Sequence, residues 1–61
     1  MNTITLKLTN DVWMATYTDA EVFELFGSDT LPTNYTGRTP ADQVLAIISA
    51  KNPSAHVVVA H

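Results

Sequence analysis

Histidine is the side-chain type that changes charge near neutrality, and the chain has two, His56 and His61. Both fall in the closing stretch His56-Val57-Val58-Val59-Ala60-His61. An odd separation puts two residues on opposite faces of a strand, so this pair cannot close on one metal ion within a straight strand. The pattern predicts exposed strand-end histidines. Glu21 and Glu24, with Asp19 and Asp29 nearby, are the only clustered carboxylates that could hold a divalent cation or move a proton. They lack the alternating acids and central glycine of a calcium loop. Acids at a helix start also have a plainer role, facing the positive end of the helix dipole.

Nucleophilic chemistry finds no better footing. Ser28, Ser49 and Ser54 lie in no strand-turn-helix nucleophile pattern, and two glycines cannot build a phosphate-cradling loop. With no cysteine, thiolate zinc sites, thioredoxin-like redox chemistry and cysteine nucleophiles are excluded. Lys7, Arg38 and Lys51 are the only basic residues, far apart in a chain of net charge −3. Binding nucleic acid needs several cations on phosphates, so the sequence predicts no nucleic-acid partner. A charge of −3 is also modest for a protein that mimics DNA. Asn34-Tyr35-Thr36 fits the N-glycosylation pattern, which matters only in a secreted chain. The expectation is no catalytic residue, no cofactor and no metal.

The elements that carry these residues are readable from periodicity. Ile4, Leu6 and Leu8 alternate with Thr3, Thr5, Lys7 and Thr9, the period of a half-buried strand. Asn10-Asp11 tolerates a tight turn, and Val12–Thr18 alternates again. A two-residue loop pairs Leu8 with Trp13, Leu6 with Ala15 and Ile4 with Tyr17. All large apolar residues then share one face, and a slip of one residue would destroy the match. Trp13 and Tyr17 are therefore predicted as core rather than as ligand-stacking rings.

Thr18-Asp19-Ala20-Glu21 has the form of a capping box and opens a short helix over 19–26, ended by Gly27. Phe23 and Phe26 are expected to join the core. Ser28 to Arg38 reads as an ordered loop with an extended piece near Thr33 to Thr36. Thr39 as N-cap with Pro40 in the first turn begins a second helix over 40–51. Its stripe is Ala41, Val44, Leu45 and Ile48, and Asn52-Pro53 stops it. The sequence thus predicts a single α+β domain over 1–61, a two-layer sandwich. A three-stranded sheet, formed by the hairpin and the C-terminal strand, carries two helices on one face. The last strand could lie beside the first or the second.

Sixty-one residues and 6.7 kDa allow one small core, so association is a common source of added stability. At 46% hydrophobic residues the chain is no disordered segment. No apolar run approaches the ~20 residues of a membrane span, and Met1 to Lys7 has no signal-peptide pattern. The expected location is the cytoplasm, with no membrane contact. Two features could serve a homodimer or a protein partner: the sheet face bearing Val12 and Met14, and the terminal strand Val57, Val58 and Val59 if it forms a sheet edge.

Trp13-Met14-Ala15, Val-Phe-Glu-Leu-Phe-Gly at 22–27, Ser28-Asp29-Thr30-Leu31-Pro32-Thr33, Tyr35-Thr36, Val44, Ile48 and Asn52-Pro53 together resemble short bacterial, chiefly cyanobacterial, proteins of unknown function. That resemblance spans almost the whole chain and implies no activity and no functional residue. Leu31-Pro32 and Gly37-Arg38-Thr39, before an amphipathic helix, are also similar to the HicB-type antitoxins. The spacing between the two motifs differs, the Val22–Phe26 helix is extra, and these 61 residues include no DNA-binding extension. This second resemblance implies binding to a small basic toxin. The expectation is a non-enzymatic protein acting by protein contact or self-association, or alternatively an acidic, antitoxin-like inhibitor of a basic partner.

Overall fold

In the computed structural model, which describes residues 2–60, Asn10 and Asp11 hold φ of 51° and 65°. Two consecutive left-handed residues give the turn whose twist suits an antiparallel hairpin. They join β1 (Thr3–Thr9) to β2 (Val12–Tyr17). The register is the one the alternation predicts, from Ile4↔Tyr17 through Leu6↔Ala15 and Leu8↔Trp13 to Thr9↔Val12. The chain continues through α1 (Ala20–Phe26), β3 (Thr30–Thr36), α2 (Ala41–Lys51) and β4 (His56–Val59).

The fold is α+β, with a four-stranded mixed sheet in the order β3-β2-β1-β4 and two helices. β4 runs parallel to β1, with Ile4↔Val57 and Leu6↔Val59, and the last strand lies beside the first. Three predicted strands become four because the segment read as a loop is a full strand, β3, antiparallel to β2. Pro32 argued against a strand there. However, proline is tolerated at a sheet edge where its missing N–H points to solvent. The register between β2 and β3 shifts between Met14↔Pro32 and Val12↔Thr36, so β3 bulges beside Trp13.

The core is Ile4, Leu6, Trp13, Ala15, Val44 and Ile48, flanked by Tyr17, Tyr35, Ala41, Leu45, Ala55, Val57 and Val59. Leu6 and Val44 are fully buried. Trp13 Nε1 donates to the Thr39 carbonyl at 3.0 Å, which ties the start of α2 to the sheet and satisfies the indole. That start differs from the prediction by one position. Pro40 is the N-cap in an extended conformation, φ −60° and ψ 150°, without a side-chain cap bond. Its carbonyl accepts the Gln43 and Val44 N–H groups, both at 3.1 Å.

α2 is the helix that covers the sheet; α1 buries no residue. The expectation that both helices lie on one face is corrected. The ladder closes at the root of α1, where Tyr17 N–H donates to the Asp29 carbonyl at 2.8 Å. The helix is an excursion at the end of the β2–β3 pair and does not reach the core face. Phe23 and Phe26, expected inside, are 58% and 62% exposed. Its N-cap is Asp19, whose side chain accepts from Glu21 N–H at 3.0 Å. Thr18 instead accepts the Thr3 N–H at 2.8 Å, which fastens the helix root to β1.

Candidate interaction surfaces

The chemistry-bearing residues are dispersed. No polar or charged side chain is buried among the described residues, and no three His, Asp or Glu side chains there gather within metal-binding reach. Glu21, Glu24 and Asp29 are exposed, and Asp19 is engaged as a helix cap. His56 is exposed at the start of β4, and His61 lies outside the described residues. Among the described residues there is no cavity and no helix long and apolar enough to cross a membrane.

The five residues singled out for an interface do not form one patch. Val57 and Val59 pair with Ile4 and Leu6 and pack against the core. Val58, beside Thr5, faces the other side of the sheet with Val12 and Met14. That side is rich in threonine, and Thr16 and Thr30 join their hydroxyls across it at 3.0 Å. Val12, Met14 and Val58 are each half-buried.

The two edges of the sheet differ sharply. At β3, Tyr17 bonds to Asp29, so by alternation Thr30 and Pro32 turn their backbone outward. Ser28 Oγ accepts the Thr30 N–H at 3.1 Å and donates to the Thr30 carbonyl at 3.0 Å. Pro32 has no N–H to offer. Farther along, Thr33 Oγ1 accepts the Tyr35 N–H at 3.1 Å. These are devices that blunt an edge. At β4, His56 and Ala60 send their N–H groups to the Asn2 and Leu6 carbonyls, each at 2.8 Å. By the same alternation, the backbone groups of Val57 and Val59 face outward. No Asp, Glu, Lys or Arg occurs over 56–60 to guard them.

The surface that sequence reasoning missed is α1. Val22, Phe23, Leu25 and Phe26 fall within an arc of about 160° at 100° per residue, with Glu21 and Glu24 opposite. Leu25 is 76% exposed. Four of the six acids lie over 19–29, and no Lys or Arg does. Both ends of α1 are fixed, by the Asp19 cap and by Gly27 at φ 73°, whose N–H donates to Phe23 at 2.8 Å. The exposed area is 4254 Å². A 6.7 kDa monomer exposes about 3,900 Å² by mass scaling, a comparable area. The one available signal was the arc itself, whose four apolar residues have no place in so small a core.

No family model, no curated protein and no solved structure matches the chain.

Proposed function

We propose that the chain is a non-enzymatic cytoplasmic module that works by protein contact, with α1 as the element it offers to a partner. The observation behind this reading is the apolar arc of α1, with Phe23, Leu25 and Phe26 at 58%, 76% and 62% exposure. Contiguous exposed apolar surface rimmed by polar groups marks contact sites. The helix is held in shape at both ends before any partner arrives, which lowers the ordering cost of binding.

Charge selects the partner. The acids over 19–29 favour an apolar groove rimmed by Lys or Arg, in the helix-in-groove mode. Anionic lipid would be repelled, and so would the same segment of a second copy. This favours the antitoxin-like alternative, an acidic binder of a basic protein, as the form the contact takes.

The test is a photoreactive phenylalanine analogue in place of Phe23, cross-linked in cells of the source organism. The reading expects one discrete adduct with a basic protein, lost when Leu25→Asp is added. The same analogue at Thr9 should give none. Equal labelling from both positions, or no adduct at Phe23, would refute it.

A further inference from the structure

We infer that the free β4 edge is a self-complementary docking strand, and that its occupant is the β4 of a second copy of this chain. The inference does not depend on the α1 reading, and either surface can fail alone.

The geometry fixes the register. Val57 and Val59 are the β4 residues whose backbone N–H and C=O groups face outward. Two identical strands related by a two-fold axis perpendicular to the sheet run antiparallel. Val57 of each copy then stands opposite Val59 of the other, and each such pair exchanges two hydrogen bonds. Val58 meets its own copy on the axis as a non-hydrogen-bonded pair, with side chains on the open face. No other nearby register satisfies all the outward groups of both valines with described β4 residues.

Three observations favour a second copy over an unrelated strand. First, the stretch 56–60 contains no charged Asp, Glu, Lys or Arg, so two copies can abut without like-charge repulsion. Second, α2 is the helix nearest β4. The two-fold axis brings both α2 helices to the same face beside the seam, where they add packing to a short strand pair. Third, the assembly closes. The joined sheet runs β3-β2-β1-β4 and back through the copy, so both outer edges are β3. Those edges are already blunted by Pro32 and Ser28. Pairing therefore stops at two chains and does not propagate into a fibre.

The native chain has no cysteine, which makes Val58→Cys a clean reporter. Its Cα would lie about 4.5 Å from its copy, within disulfide reach. Under mild oxidation of the full chain, Val58→Cys should form covalent dimer at least about tenfold faster than Thr16→Cys, which lies on the same face inside the sheet. Equal rates overturn the inference. Val58→Lys sets two cations face to face while leaving the core side untouched. It should keep the native circular dichroism and fall to the mass of one chain where wild type shows two. A wild-type mass of one chain throughout, or an undiminished dimer in Val58→Lys, would also overturn it.

Discussion

Truncating two leucines, one in the core and one on α1, should separate the core from the contact surface. Leu6 is fully buried between Ala15 and Val59, beneath α2. Removing such a side chain loses its transfer energy and leaves a cavity, a cost of about 2–5 kcal/mol. Leu25 is 76% exposed. Only about a quarter of its surface is out of water, so at ~2 kcal/mol for full burial its loss costs about 0.5 kcal/mol. A chain of 61 residues has a total stability of roughly 3–9 kcal/mol. Leu6→Ala should therefore remove much of the stability, whereas Leu25→Ala should barely move the midpoint. The assay is urea unfolding followed by circular dichroism, at one low protein concentration. Equal losses for the two variants would refute the reasoning, because Leu25 would then have to be packed.

Other substitutions test the joints of the fold. Trp13→Phe removes the donor to the Thr39 carbonyl and should cost about 1–2 kcal/mol by the same assay, loosening the start of α2. Asp11→Gly removes a side chain from a residue at φ 65° and should raise the thermal midpoint, with a gain of about 0.5–1 kcal/mol. A lower midpoint would mean that the Asp11 side chain matters more to the turn than its backbone strain. Gly27→Ala places a side chain at φ 73° in open space. The strain of about 1 kcal/mol should appear as faster exchange of the amide at position 27, which bonds the Phe23 carbonyl, with little change in the core amides.

The hairpin was legible because two independent signals agreed. The alternation of Ile4, Leu6 and Leu8 with threonine set the faces, and Asn10-Asp11 set the loop length. The α2 stripe was legible for a similar reason, since Val44 and Ile48 recur at helical spacing with Leu45 between them. β3 was half-hidden. Pro32 and Asn34 are loop signals in a segment otherwise rich in Thr and Tyr, and only sheet order reveals that the proline sits at an outer edge. The fate of α1 was legible only as an apolar arc without an assigned neighbour. Periodicity reports that Phe23 and Phe26 share an arc, but not what lies opposite them. That depends on the long-range closure of Tyr17 onto Asp29. The free edge at β4 was foreseen only as one of two outcomes, because it depends on β3 occupying the other side of the hairpin.

The most direct test of the free edge is amide hydrogen exchange at Val57 and Val59, read by NMR across a concentration series. These two N–H groups point away from β1, whereas those of His56 and Ala60 bond to the Asn2 and Leu6 carbonyls. The account predicts that Val57 and Val59 exchange fast when dilute and become protected as concentration rises, with His56 and Ala60 protected throughout. Fast exchange at Val57 and Val59 at every concentration would contradict it.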